Sequence, residues 1–472
     1  MSARDVALRV LYQFDTAGVY VRDALDAALR RSGLDTRDRA LATELVNGVL
    51  RWRGRIDWVL QRAVRRDLAT LTPWIRNILR LGAYQVLMLD HIPAAAATHE
   101  AVEMAKRYGH PGTARLTNAV LREVIRQQSD LRYPAADEDP ILHLMVVYSY
   151  PRWIAERWLA RYGVEGTIAL CQAGNMPPPV VVRANRLRTD PETLRSSLRE
   201  DGLHVEDGRY LDEFLVVRET GDLTAVEAYR RGWFQVQDES AGLAVRLLDP
   251  QAGETIIDLC CAPGGKTTYI ADRMRNQGLI VGVDVKPGRL RRVIEHCGRL
   301  GVTIVRPVAA DGRCVALNAR ADRVLVDAPC SGLGTIARRA ELRWRRTPDD
   351  ITALRTTQLA LLDQAGRLVK PGGVVVYSTC TIEPEENEDV VAAFCAAHPD
   401  FQVERPPASL SLPAGLVDAH GIIRTLPSVH GIDGSFAARL RKGRHVRGAD
   451  NPSGSRPEEP ERPGTADGTE YR

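Results

Sequence analysis

The sequence predicts a multi-domain chain: an all-α bundle, then a small α+β module, then an α/β domain on a doubly wound parallel sheet. Three observations carry this. Apolar residues recur at helical spacing from Ala3 to about Arg126. A proline-bearing acidic stretch and a later Pro177-Pro178-Pro179 break set off a segment that mixes strands and one helix. From Gln237 onward short β-branched runs alternate with helical segments. At 472 residues the chain exceeds one ordinary core, and about three domains is the natural division.

Taken in order, residues 1–128 form the helical domain. Val6, Val10 and Phe14 share one helix face, and Leu25 and Leu29 another. A third helix is expected over Arg39 to Leu50. A fourth begins where Thr72 caps and Pro73 takes the first helical position, and two more cover Ala94 to Tyr108 and Ala114 to Ile125. A basic cluster of Arg51, Arg53, Arg55, Arg62, Arg65 and Arg66, interleaved with Trp52 and Trp58, is either a solvated face or an RNA contact. Residues 129–140 read as a linker. Residues 141–236 form the α+β module, with strands at Val180 to Leu187, Phe214 to Arg218 and Trp233 to Gln237 and a helix at Pro191 to Asp201. Residues 237–442 are the α/β domain, Rossmann-like in pattern. Its five strands are Thr255–Leu259, Leu279–Asp284, Thr303–Pro307, Arg323–Asp327 and Gly373–Tyr377. Residues 443–472, rich in Arg, Gly, Pro and Glu, are expected to be disordered.

Composition narrows the class. A hydrophobic content of 44% is globular, no apolar run is long enough to cross a bilayer, and the start of the chain has no secretory h-region. Eight cysteines without a CxxC pair or zinc spacing indicate free thiols and no metal, so a cytoplasmic protein is expected. The formal charge of +4 permits a nucleic-acid partner without requiring one. That positive charge is nearly all arginine, the better residue for phosphate forks and base stacking.

The first candidate site is the run TIIDLCCAPGGKTT, Thr255 to Thr268. It has the form of a strand, a tight glycine loop (Cys260, Cys261, Ala262, Pro263, Gly264, Gly265, Lys266) and a helix start. Glycines admit close backbone approach, and helix amides receive an anion. Asp258 offers to receive a cation. The amino-acid end of S-adenosylmethionine carries both groups. Asp284 ends the second strand about 20 residues past the loop, the spacing of an acid that bonds a ribose hydroxyl. Asp311, after the third strand, is placed to line an adenine pocket. An ordinary βα turn with an acidic helix cap is the plainer alternative.

Two cysteines define the candidate chemistry. Asp327-Ala328-Pro329-Cys330-Ser331-Gly332 follows the fourth strand, and Ser378-Thr379-Cys380-Thr381 the fifth. Ligands bind beyond the carboxyl ends of such strands, so both thiols project to the rim that carries the glycine loop. A thiolate suits attack on an electron-poor carbon such as C6 of a pyrimidine, which makes C5 nucleophilic toward a sulfonium methyl. Cys171, Cys297, Cys314 and Cys395 are read as ordinary small hydrophobes, and Cys261 as packing beside the loop. The stretch Arg338-Arg339 and Trp344-Arg345-Arg346 is basic and aromatic, fit for an RNA strand or for a plain helix surface.

The motifs DLCCAPGGKT, VDVKPGRL, ADGR, DAPCSGLGT and YSTCTIEPEEN, in this order, resemble the RNA 5-methylcytosine methyltransferases. The front end, DRALATELVNGVLRWRGRIDWVL with ILRLGAYQVLMLDHIPAAAATHEAVEMAKRYG, resembles the antitermination-factor NusB fold. Together they are similar to the bacterial 16S rRNA cytosine-5 methyltransferases of the Sun/Fmu type, over about residues 4 to 440. The resemblance implies a class I methyltransferase domain, a helical domain that binds RNA, and an S-adenosylmethionine-dependent enzyme acting on C5 of one rRNA cytosine. It implies Cys380 as the nucleophile at C6 and Cys330 as the aid to adduct breakdown and product release. Asp327 would hold the cytosine near N3, and Lys266 would orient the loop or the base. Cys260 to Lys266, with Asp284, Asp311 and Asp327, would bind the cofactor. Cys261 stands where alanine is usual, and Gly434-Ser435-Phe436 where an aromatic pair is usual. Alternatives remain at this point: the same chemistry on tRNA, a non-catalytic RNA-binding or antitermination factor, and, more remotely, a DNA methyltransferase. The expected partner is rRNA before or early in assembly, met by a monomer with no membrane attachment. The base must leave its stack to be reached.

Overall fold

The computed structural model describes residues 1–444 apart from 219–220, 318–319, 411 and 414. Of the tail expected to be disordered, 445–472 lie outside the described residues.

Six helices build the N-terminal bundle: α1 (Ala3–Ala17), α2 (Val21–Ser32), α3 (Thr36–Ala63), α4 (Pro73–Met88), α5 (Ala94–Tyr108) and α6 (Pro111–Gln127). The apolar stripes read from the sequence meet in one core that includes Val6, Val10, Leu45, Val49, Ile78 and Leu121. The third helix is longer than expected. Asp35 caps it by accepting the Asp38 amide, and the chain bends at Trp52 (φ −106°) and continues to Ala63. Pro73 opens α4 as expected, although Thr72 makes no side-chain cap bond.

Two helices, α7 (Pro140–Val147) and α8 (Arg152–Asn175), lead into the small module. It comprises β1 (Val180–Ala184), α9 (Pro191–Glu200), β2 (His204–Asp207), β3 (Phe214–Arg218), α10 (Glu227–Arg230) and β4 (Phe234–Val236). Its sheet is antiparallel, in the order β2-β3-β1-β4. Strand β2 was not expected, because four residues with two acids and a histidine carry no apolar alternation.

The third body runs through α11 (Glu239–Leu248), β5 (Thr255–Leu259), α12 (Gly265–Arg273), β6 (Leu279–Asp284), α13 (Pro287–Leu300), β7 (Val305–Ala309) and β8 (Ala321–Asp327). It continues with α14 (Leu342–Arg345), α15 (Pro348–Leu368), β9 (Val369–Thr379), α16 (Glu388–Ala397), β10 (Phe401–Val403), β11 (Ile423–Thr425), α17 (Pro427–His430) and β12 (Ser435–Lys442). The five expected strands are present and parallel, in the order β9-β8-β5-β6-β7. The sheet as a whole is mixed, which corrects the purely parallel expectation. β12 runs antiparallel to β9, and β10 and β11 pair antiparallel to β12. These three were not foreseen; β12 alternates arginine with apolar residues, which reads as a basic surface until Arg439 is seen fully buried against Glu404 and the Leu247 carbonyl.

The three bodies meet on the segment between Cys330 and Arg346. Trp344 Nε1 donates to the Leu50 carbonyl of α3 (2.6 Å), Arg345 to the Gly18 carbonyl (2.5 Å), and Arg51 reaches back to the Ala337 carbonyl (3.1 Å). Arg343 is fully buried and bonds Asn175 Oδ1 (2.8 Å) and the carbonyls of Gly174, Ser149, Tyr148 and Arg51. Leu333 and Ile336 from the same segment join Ile154, Trp158 and Leu170 of α8 in one apolar cluster. Of the basic, aromatic stretch offered above for an RNA strand, Trp344 and Arg345 therefore belong to an interdomain clamp, and Arg346 turns back to its own loop. The arginine–tryptophan cluster of α3 is likewise partly turned inward. Arg53 pairs with Asp15 (3.1 Å), Arg55 donates to the Val146 and Val147 carbonyls, and Trp58 stacks on Tyr133 and Arg62.

Because Arg343 satisfies several carbonyls at once, Arg343→Met keeps most of the volume but strands those acceptors in the interface. It is expected to destabilise the chain by about 3 kcal/mol, seen as a lower urea midpoint.

Candidate active site

The carboxyl ends of β5, β6, β8 and β9 form one rim. At β5, Cys260 turns the chain with a left-handed φ of 65°, and Gly264 follows at φ 102°, where a Cβ would lie 3.2 Å from the Val293 Cα. Only a residue without a Cβ fits there. Gly264 also caps α12 with no side-chain bond, which leaves the first amides of that helix open to a carboxylate. Two acids from other strands are tied to this loop, Asp284 through Arg289 and Asp327 through Lys266, and a third, Asp311, follows β7. Asp284 ends β6 and is buried; it accepts the Lys286 amide (3.0 Å) and pairs with Arg289 (3.2 Å). Asp311 follows β7 and pairs with Arg313 (2.6 Å). Asp327 ends β8 and bonds Lys266 Nζ (2.8 Å). An open helix start set among carboxylates fits a ligand that carries a carboxylate, a cationic centre and hydroxyls.

Two residues of the expected loop behave differently from a ligand-facing reading. Asp258, offered above to a cation, is fully buried, and its carboxylate accepts the Thr267 hydroxyl (2.7 Å). Burial pushes its carboxyl up to about 7, against the lowering effect of that bond and of Lys266. It braces the loop from beneath. Cys261 packs inward, as read from its type. Its sulfur lies against Gly282, its amide bonds the Val283 carbonyl (2.9 Å), and its own carbonyl accepts from Gly264 (2.8 Å).

The two motif cysteines are brought together across β8 and β9, with Cys330 Sγ 3.3 Å from Cys380 Sγ. Their loops are tied by a buried carboxyl. Glu386 accepts the Ser331 amide (2.8 Å), the Ser331 hydroxyl (2.5 Å) and Gln358 Nε2 (3.0 Å). Ser331 Oγ lies 2.7 Å from Thr381 Oγ1, and Gln358 also holds the Pro329 carbonyl (2.9 Å). Asn387 bonds the Thr379 hydroxyl (2.6 Å) and the Thr381 carbonyl (3.0 Å) on the other side of Cys380. Arg346 fixes the Cys330 and Ser331 carbonyls (both 3.0 Å).

The pair is electrostatically asymmetric. The hydrogen bond from Cys330 lowers the Cys380 thiol below the ordinary range, helped by Arg339 and Lys266 and opposed by burial and Asp327. The same bond, with burial and Glu386, raises Cys330. One contact points the other way, since the Cys380 amide donates to Cys330 Sγ (3.3 Å) and by itself favours charge there. The two cations stand on the Cys380 side, so the asymmetry makes Cys380 the more acidic thiol of the pair. Lys266 itself stays protonated: burial works against its charge, and Asp327 more than restores it.

Three comparisons with known proteins bear on this arrangement. The model of the family described as 16S rRNA methyltransferase RsmB/F matches residues 245–441, the NusB family 1–126, and the ferredoxin-like domain of RsmF/B-like methyltransferases 150–224. A curated relative from Bacillus subtilis (strain 168), named "Probable ribosomal RNA small subunit methyltransferase B", is 35% identical over 93% of this chain and 99% of its own. The chain belongs to the RsmB/F family of 16S rRNA methyltransferases. Among solved structures, PH0851 superposes with a TM-score of 0.78 at 29% identity, over 93% of this chain and 98% of its own. NSun6 from Pyrococcus horikoshii, solved with SFG, gives 0.56 at 26% identity, over 63% and 99%. The fold is thus a NusB-like helical domain, a ferredoxin-like module and a Rossmann-like methyltransferase domain, and the methyl donor of this family member is S-adenosylmethionine.

Several side chains at the site were not singled out from sequence. Glu386 and Asn387 lie in the quoted YSTCTIEPEEN run, whose acids follow a cysteine too closely to be mere helix surface. Arg289 lies in VDVKPGRL and holds the Ala262 carbonyl (2.5 Å) as well as Asp284. His296, which contacts the Pro263 carbonyl (2.9 Å), carries no local signal at all. Burial raises the Glu386 carboxyl against the lowering effect of its bonds from Ser331 and Gln358. Glutamine keeps the length and one acceptor oxygen, so Glu386→Gln is expected to lose less activity than Glu386→Ala. Glu386→Ala strands the Ser331 and Gln358 donors and is expected to lower kcat at least about tenfold, with about 3 kcal/mol lost in urea unfolding.

Proposed function

We propose that this family member methylates C5 of one cytosine in 16S rRNA through a covalent Cys380–C6 adduct. The observation that supports it is the sulfur pair: a lowered thiol beside a raised one, 3.3 Å apart, on the rim of the cofactor loop. Cys380 adds to C6 of the extruded base, and the electron density that moves to C5 makes that carbon the nucleophile. S-adenosylmethionine, when bound, supplies the electrophilic methyl group. Water at the rim then takes the C5 proton as base, and the C5–H electron pair re-forms the C5=C6 double bond. The Sγ–C6 bond breaks with its electrons returning to Cys380 as thiolate; Cys330 lies beside this step and aids release. Asp327, held by Lys266, would hold the cytosine edge near N3 by accepting from the neighbouring N4 amino group.

For the cofactor, the amides at the start of α12 receive its carboxylate, Asp284 its ribose hydroxyls and Asp311 the adenine side, with the Cys260–Lys266 backbone as the floor. Arg289 keeps both Asp284 and the loop in position. An extruded cytosine is more accessible in RNA free of assembled proteins, which favours rRNA before or early in assembly, acted on by a single copy of the chain in the cytoplasm.

Labelled methyl from S-adenosylmethionine is expected in a single cytosine of protein-free 16S rRNA, mapped as the C5 derivative. Label confined to bulk tRNA would replace the substrate, and none in either would remove the catalytic reading. Faster modification of assembled subunits than of naked RNA would overturn the timing. Cys380→Ala is expected to abolish turnover. Cys330→Ala should accumulate a protein–RNA adduct stable to denaturing electrophoresis, and its absence would reassign Cys330.

A further inference from the structure

The cofactor loop is supported from outside its own domain. Arg183 of β1, in the small module, is fully buried and reaches across to α12. Its Nη2 donates to the Thr268 hydroxyl (3.2 Å) and its Nη1 to Asp272 (3.3 Å), and its guanidinium carbon lies 4.4 Å from the centre of the Tyr269 ring. The Thr268 hydroxyl in turn bonds the carbonyls of Gly264 (2.9 Å) and Gly265 (3.1 Å). The Arg183 Nε goes to Oε1 of Gln237 (2.9 Å). A guanidinium has no acceptor, so the atom of the Gln237 amide that faces it is the oxygen, and Nε2 is turned the other way. Gln237 is only 8% exposed, and its Nε2 makes no hydrogen bond among the described residues. That nitrogen stands beside Gly265, where a Cβ would lie 3.6 Å from it. Gly265 is the first residue of α12, whose opening amides receive no side-chain cap. A nearly buried amide donor is costly to leave unpaired, and this one sits at a helix start that attracts anions.

We propose that Gln237 is a further cofactor-binding residue: its Nε2 donates to the carboxylate of S-adenosylmethionine beside the α12 amides, and Arg183 is the positioning residue that fixes its orientation. The inference rests on the reading that the start of α12 receives that carboxylate. Glutamine suits the position because one end of its amide satisfies Arg183 while the other offers a donor, which a lysine or an arginine could not do. The backbone of Gln237 is held as firmly as its side chain, its amide bonding the Val181 carbonyl (3.0 Å) next to β1. The small module thereby sets one contact of the cofactor site, through a residue that lies between β4 and α11 and outside the glycine loop.

Titration calorimetry with S-adenosylhomocysteine and with its decarboxylated analogue, which keeps the amine, reads this contact without RNA or turnover. The native protein should bind the first at least about tenfold more tightly than the second. Gln237→Glu keeps an oxygen for Arg183 but turns a carboxylate toward the ligand's own. It should weaken S-adenosylhomocysteine at least about tenfold and leave the analogue within about threefold. Gln237→Met, uncharged and of similar length, carries the same test if the glutamate variant folds poorly, and should lose most of the native preference. In Arg183→Lys one ammonium cannot serve Gln237, Thr268 and Asp272 together, so the preference should shrink there too. The ratio of the two affinities is the readout, because a general loss of stability weakens both ligands alike. Equal weakening of both in the Gln237 variants would make Gln237 a support of the loop and overturn the contact, as would a native preference that survives in them. A preference lost in the Gln237 variants but intact in Arg183→Lys would remove the role of Arg183. Equal affinity of the native protein for both ligands would instead sink the reading that α12 receives the carboxylate.

Discussion

Two sulfurs held 3.3 Å apart on separate loops are the constraint from which the rest of this structure follows. Neither loop is regular where its cysteine sits, so neither holds its thiol by backbone pairing alone. Glu386 supplies the missing restraint. It takes one amide and one hydroxyl from the Pro-Cys loop while belonging to the turn after the Thr-Cys loop. With Ser331, Thr381 and Gln358 it forms a buried, nearly saturated network, the kind of polar cluster that specifies one geometry because each member is costly to leave unpaired.

That restraint is backed from outside the catalytic domain. The segment after Cys330 leaves the sheet, forms the clamp with α3, α7 and α8, and returns through Arg346 to the carbonyls of Cys330 and Ser331. The clamp joins the bundle and the α7–α8 pair to the catalytic loop by arginine–carbonyl bonds, alongside the apolar cluster of Leu333 and Ile336 with α8. Trp158 and Arg157 of α8 add a second tie, bonding Glu383 just beyond Cys380 (both 2.9 Å). The helical domain and α8 thus help to hold the loops that carry the two thiols, whatever else they contact.

Electrostatics then separates two chemically identical side chains. Both thiols are largely enclosed, so burial alone would raise each of them. What differs is which charges each one faces: cations on the Cys380 side, the Glu386 carboxyl on the Cys330 side. The cofactor loop shows the same economy of charge. Asp258 is withdrawn under the loop near its neutral form, while Asp284, Asp311 and Asp327 remain on the rim, each with a basic partner.

The local signals in the chain were enough for the five parallel strands, the glycine loop, the rim acids and the two cysteines. Each of these depends on short-range pattern: β-branched runs, glycine where φ is positive, and chemistry placed at strand ends. The same signals misled wherever a residue's partner lies far off in sequence. Trp344 and Arg345 look like part of a nucleic-acid surface and belong to a clamp, because their carbonyl partners at residues 50 and 18 carry no side-chain signature. Strand β12 was not foreseen, and its buried Arg439 is held by Glu404 and the Leu247 carbonyl, both far off in sequence. The role of a charged residue is set by what faces it, and only the tertiary structure brings that group near. The sequence alone determined where the glycine loop and the two cysteine motifs lie; folding decided that the two sulfurs meet 3.3 Å apart, which charges each one faces, and that Asp258 is withdrawn beneath the loop.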